Sequence, residues 1–429
     1  MTEIPSTQYA VQFTGVDSIE INTCKDVPEI GPTQMLLQVE ACGICFSDTK
    51  LLHAFDSHPR KSKIVAGLSA EALAELPGYR PGTQPTVPGH EPVARIIRVG
   101  DEVTHFKVGE RVLVQADWKH LPTAKSNAAF GYNVEGALQE YVAVDERCVV
   151  SPEGEEFLIR VDDEPTAAAI GLIEPWATVE GAYAWHERST LKAGGKLLVV
   201  ADDKPSAIGE LVAQHPPQTI TIIGCDQQAL GLEGSDVDVR VVADLSELGD
   251  AQFDDIIYFG ANASRLGQVA ALASARSIVA VILAGKRLTT RVPIDVGRIH
   301  YDFVRYCGTT GSDVAAAYQW IPETGEIRDG DALAIIGAAG PMGLMHTMRA
   351  VVLGRKGISI DATDLSDERL AHLEDVIGPT AKAHDVPMRY INTSEQQLEA
   401  GYDYVVCMVP VPALVAEAVD LAGEDSIVN

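Results

Sequence analysis

Hydrophobic and polar positions follow two regimes along the chain. Up to about residue 170, short apolar runs rich in branched residues (35–40, 93–98 and 111–115) are separated by Gly, Pro and Asp. Such punctuation predicts short strands of a barrel or distorted sheet. From about residue 190, buried-strand runs at 196–200, 219–223, 255–258 and 277–283 alternate with helix-length segments. That rhythm predicts βαβ units around a parallel sheet. It then starts again, with runs at 332–336, 357–360, 402–406 and 426–428.

The restart has the form of an internal repeat. An offset of 135 residues separates Trp185 from Trp320 and Gly195 from Gly330. We therefore read two tandem α/β units, and the expected divisions are 1–185, 186–320 and 321–429. The second unit stops at the strand that the first unit passes by more than 30 residues. Either the unit is short or the chain is truncated at Asn429.

Only the second unit carries a dinucleotide fingerprint. Gly337-Ala-Ala-Gly-Pro-Met-Gly343 directly follows a strand and opens a helix. Glycines there permit the tight turn and let backbone amides meet a pyrophosphate. Pro341 and Met342 complete the turn. Asp364 lies 21 residues past Gly343, where an acid would accept from the adenosine ribose and repel a 2′-phosphate. This favours NAD over NADP, with Arg369 placed to stack beside the adenine. In the first unit the equivalent positions are Asp202, Pro205 and Ile208, so nucleotide binding is expected to be lost there.

Composition narrows the partners. Acidic residues number 61 against 33 basic ones, for a net charge of −28. A nucleic-acid binder needs a basic face, so that class is excluded. The seven cysteines are scattered, which is no disulfide framework. Neither a signal peptide in residues 1–14 nor an apolar membrane span is legible. The expectation is a cytoplasmic protein.

Three separated segments offer metal-ligand chemistry: Cys42-Gly-Ile-Cys-Phe-Ser-Asp48, Pro88-Gly-His-Glu91 and Glu174-Pro-Trp-Ala-Thr178. A thiolate, an imidazole and a carboxylate are the three protein ligands that a catalytic zinc takes. Asp48 suits a role of holding the His90 ring by its other nitrogen.

These segments, in this order and ahead of an α/β unit, resemble the zinc-dependent medium-chain dehydrogenase/reductase superfamily. The resemblance implies a β-rich GroES-like catalytic domain followed by two Rossmann-like, doubly wound α/β units. It implies zinc on Cys45, His90 and Glu174, with Glu91 an occasional fourth ligand. It also implies that Ser47 starts a proton relay and that Thr178 touches the nicotinamide of an alcohol or polyol dehydrogenase. A homo-oligomer, dimer or tetramer, is expected. Two departures stand out. Residues 109–136 contain no cysteine, so the structural zinc is absent. The usual relay histidine is replaced by Thr49 and Lys50, with His53 further on. A zinc-free enone or quinone reductase and a non-catalytic NAD-binding sensor are the alternative readings.

The double α/β arrangement, with residues 130–136, 295–302 and 308–312, is similar to the L-sorbose-1-phosphate reductase group. That implies a sugar, sugar phosphate or cyclitol substrate. The basic cluster at residues 58–63 contains Arg60 and Lys61, and is either a phosphate clamp or a solvated loop. His300, Tyr301 and Asp302 either line the cleft or are turn residues.

Overall fold

The computed structural model describes residues 4–429, so Met1 to Glu3, the start of the segment read for a signal peptide, lie outside it. Two compact units divide the chain at Thr178 and Val179.

The first unit is the β-rich part. Its main sheet orders the strands Tyr141–Asp145, Gln34–Gly43, Glu91–Val99, Arg111–Val114 and Leu158–Arg160, all antiparallel. Their inward faces bury Met35, Leu37, Ile96, Val112 and Val142 with Trp118 and Phe130. Val93 and Leu113 of the same strands are buried in a second cluster with Ile170, so the middle of the sheet is covered on both faces. Two-stranded ribbons, Thr7–Gly15 with Ser18–Asp26 and Asp117–Pro122 with Asn127–Ala129, complete its strands.

The second unit contains two parallel sheets. The first orders Asp238–Val242, Thr219–Ile223, Lys196–Ala201, Phe253–Phe259, Ala273–Ile282 and Arg305–Thr309. The second orders Met388–Asn392, Ser359–Asp364, Ala332–Ile336, Tyr402–Cys407 and Ala422–Val428. Both start in the middle, step outward twice, then cross back to the other side. This is the doubly wound order, whose reversal leaves a crevice at the carboxyl ends of the strands. The two-unit α/β pattern in the sequence is therefore present as two Rossmann-like sheets.

The two parallel sheets differ where strand turns into helix. In the second, Gly337 has φ +76° and the helix Pro341–Val352 runs for 12 residues. A Cβ on Gly343 would lie 2.1 Å from the Gly337 carbonyl oxygen. The helix thus reaches the strand only because that side chain is absent. In the first, the helix Gly209–Gln214 has 6 residues and starts without a side-chain cap. Asp202 and Asp203 occupy the turn. Asp202 accepts from the Tyr258 hydroxyl at 2.7 Å, and Asp203 pairs with Lys286.

Among the described residues, no helix is long and apolar enough to cross a membrane.

Gly343→Ala forces backbone apart rather than a flexible side chain. It is expected to destabilise the protein by about 1–3 kcal/mol, as overpacking does. Thermal unfolding of the variant against wild type checks this.

Candidate metal centre and cofactor turn

Cys45 is the N-cap of the helix Phe46–His53. Its Sγ accepts from the Ser47 amide at 3.5 Å, while the Asp48 carboxylate accepts from the Cys45 amide at 2.9 Å. This reciprocal capping box holds the sulfur at the start of the helix. His90 arrives from the turn before strand Glu91–Val99. Gly89 takes φ +95° there, and a Cβ on it would lie 2.8 Å from Cys42 Sγ. Glu91 follows directly. A Cβ at Gly43 would lie 2.1 Å from its Oε2, so the glycine leaves the space that the carboxylate fills.

These elements bring one ligand atom each from Cys45, His90 and Glu91 within 4.8 Å of one another. His90 and Glu91 are each 5% exposed. Burial alone lowers the His90 pKa, but the neighbouring acidic groups of Asp48 and Cys45 outweigh it and hold the ring up at about 10. Burial raises Glu91, against the pull of His90 and a hydrogen bond from Cys45. Asp48 Oδ1 lies 3.3 Å from His90 Nδ1, although off the line of a good hydrogen bond. Ser47 Oγ lies 3.1 Å from His90 Nε2.

Glu174 stands outside the set of three. It sits in the first turn of the helix Ile173–Ala184, before Pro175. Burial raises its carboxyl, His90 lowers it and Glu91 raises it, so it remains within electrostatic reach of the cluster. Thr178 is exposed, and its hydroxyl leans back to the Glu174 carbonyl at 3.5 Å.

The sequence missed Tyr132. Its buried ring lies 5.4 Å from the His90 ring and 5.3 Å from His58. Burial, eased by the nearby Ser47 hydroxyl, pushes its hydroxyl up to about 12. The signal was present in the Phe130–Gly136 segment, but only the fold shows where the ring goes. Neither relay substitute reaches this place: His53 pairs with Asp17 at the surface, and Lys50 covers the Phe46 ring.

Arg60 and Lys61 of the basic cluster part company. Arg60 donates to Asp117 Oδ2 at 3.0 Å and lies over the Tyr132 ring at 5.0 Å. Lys61 is turned inward, which corrects the reading of it as a substrate contact. It is 2% exposed, donates to the carbonyls of Arg80 and Gln84, and faces the Phe55 ring at 4.9 Å. His300 and Tyr301 lie on the short helix Gly297–Tyr301 of the second unit, rings edge-on at 4.7 Å.

On the second parallel sheet, Gly340 is the N-cap of the helix that Pro341 opens, and Met342 packs partly into the core. Asp364 ends its strand, accepts from the Leu365 amide at 2.8 Å and pairs with Arg369 Nη2 at 3.2 Å. Arg369 is thus paired with the acid, its guanidinium beside Gly340.

Fold and donor set together define a GroES-like domain ahead of Rossmann-like sheets. Residues 31–153 match the alcohol dehydrogenase GroES-like domain family. Over longer stretches the chain is similar to the uncharacterized protein YggP of Escherichia coli, at 22% identity across 67% of this chain and 70% of that one. It is similar to mannitol-1-phosphate 5-dehydrogenase of Aliivibrio fischeri, at 24% identity across 70% of this chain and 74% of that one. Similarity to (R,R)-butanediol dehydrogenase of Bacillus subtilis is 30%, across 40% of this chain and 45% of that one. These matches support a place in the medium-chain dehydrogenase/reductase superfamily.

Lys61 generates a pH prediction. Burial, with Arg80 nearby, lowers its pKa to about 8 from an ordinary 10.5. Between those values the unfolded chain holds a proton that the folded one has released, so stability rises with pH. Wild type should gain at most about 3 kcal/mol across that window relative to Lys61→Met. Denaturant unfolding at pH 8 and pH 10 measures the difference, and equal slopes would discard the account.

Proposed function

We propose that this chain is a zinc-dependent, NAD(H)-linked oxidoreductase. It interconverts a secondary alcohol and a ketone on a sugar, sugar phosphate, polyol or cyclitol. The observation that carries this reading is the cluster of thiol, imidazole and carboxylate within 4.8 Å, with the Ser47 hydroxyl 3.1 Å from His90 Nε2. That donor set fits zinc, which takes such ligands and leaves a position for substrate. One catalytic zinc and no structural zinc is the expected complement, because residues 109–136 hold no cysteine.

When bound, zinc supplies Lewis acidity toward an alcohol oxygen and NAD supplies the hydride acceptor. The chain's own residues do the rest. Cys45, His90 and Glu91 hold the metal, and Glu174 is the further candidate ligand. Asp48 orients the His90 ring. The Ser47 hydroxyl takes the alcohol proton as it releases its own to solvent. The turn from Gly337 to Gly343 accepts the pyrophosphate, Asp364 the ribose hydroxyls, and Thr178 contacts the nicotinamide. Asp364 favours NAD over NADP. The first α/β unit, with an aspartate pair in place of glycines, serves as a platform without nucleotide.

The domain divisions at residues 185 and 320, the L-sorbose-1-phosphate reductase-like grouping, a dimer or tetramer and a cytoplasmic location belong to the same proposal. Relatives named for mannitol 1-phosphate and for butanediol leave the phosphate open.

Metal analysis tests the site directly. Wild type should contain about one zinc per chain, and Cys45→Ser should lose it. Asp48→Asn should weaken zinc affinity by about 10–100-fold, as loss of a carboxylate behind a histidine ligand does. NAD-dependent oxidation of polyols should fall in parallel. Zinc-free wild type with full turnover would sink the reading.

A further inference from the structure

Beside the donor cluster lies an ion pair that the proposed chemistry does not use. Arg60 and Asp117 meet at 3.0 Å, and their side chains are 33% and 35% exposed. The pair is therefore open to solvent yet fixed in place. Arg60 is held by the Tyr132 face at 5.0 Å, and the Tyr132 ring in turn lies 5.4 Å from the His90 ring. Asp117 opens a strand, and its other oxygen accepts from Asn127 Nδ2 at 3.3 Å. Both charges act on the Glu174 carboxyl, which puts the pair at the edge of the cluster.

A half-exposed ion pair adds little stability, so folding alone gives weak reason for it. What it offers is a guanidinium donor next to a carboxylate acceptor. Neighbouring hydroxyls on a carbon chain match that arrangement, since one can accept from Arg60 while the other donates to Asp117. A phosphate ester does not match. Its dianion would compete with Asp117 for Arg60 and would meet the Glu174 carboxyl as well. Of the loop's two other cations, Lys61 is turned away and donates to backbone carbonyls, and Lys63 is exposed.

We propose that Arg60 and Asp117 form a hydroxyl-binding pair that selects an uncharged polyol over its phosphate ester. This rests on the oxidoreductase reading and narrows its substrate class. The pair touches substrate away from the reacting carbon, so it governs affinity more than the chemical step.

The experiment uses the zinc-loaded full chain. Turnover with NAD is measured for a linear polyol, its terminal phosphate ester and a short mono-alcohol. Calorimetry with the NADH complex gives the polyol dissociation constant separately from turnover. Wild type should prefer the polyol to the ester. Asp117→Asn should weaken polyol binding by about tenfold, the worth of one charge-assisted hydrogen bond. Its loss should fall on KM more than on kcat, and the preference over the ester should shrink. Arg60→Met should also weaken polyol binding, which guards against a folding defect confined to one variant. A wild-type preference for the ester, or polyol affinity unchanged within about twofold in both variants, overturns the pair's role. Turnover of the mono-alcohol without polyol binding overturns it too, while leaving the oxidoreductase reading intact. Polyol binding that weakens in the variants, with no turnover of any substrate, supports the pair and sinks the oxidoreductase reading instead.

Discussion

The carboxylate of Asp48 is the constraint on which the candidate metal centre depends. It accepts from the Cys45 amide at 2.9 Å and from the Gly89 amide at 3.4 Å, and it faces His90 Nδ1 at 3.3 Å. One buried acid thus joins a helix start to a turn that lies more than 40 residues further along the chain. Without it, the sulfur and the imidazole would belong to two independent loops. With it, they share a reference point, and Glu91 follows because it is the residue after His90. A buried charge of this kind persists only where several donors meet it.

The two parallel sheets show how one scaffold tolerates opposite turn chemistry. Their central strands are equally apolar and equally buried, at Leu198, Val199 and Val200 in one and Leu333, Ala334 and Ile335 in the other. The sheet core therefore does not decide what the turn can hold. That is decided within a few residues of the strand end, by glycine or by aspartate. In the first unit the acids have found a tyrosine and a lysine, which keeps the turn satisfied without any phosphate.

Much of this was legible in the sequence because it is written locally. Central strands of parallel sheets are continuous apolar runs, and those runs were found. The strands Asp238–Val242, Arg305–Thr309 and Met388–Asn392 were not, and each is an edge strand whose half-exposed residues break the apolar signal. Cys45, His90 and Glu91 were visible because each sits in a short motif. Asp117 was not, since its meaning depends on a loop from 57 residues earlier in the chain. Lys61 was misread for a related reason. Charge runs are ordinarily solvated, and nothing local reveals that one member of this run points into the core.

The buried ammonium of Lys61 anchors its loop by reading backbone oxygens rather than side chains. Such an anchor takes hold of the backbone and not of a side chain. The side chain of Gln84 is free to drift while the loop keeps its place, whereas Lys61 itself is not, nor is Arg80, whose charge acts on Lys61 and pairs with Glu135. The neighbouring position, where Arg60 stands, inherits that freedom. A lineage could exchange the recognising group at the mouth of the centre by a single substitution, without first having to rebuild the segment that presents it.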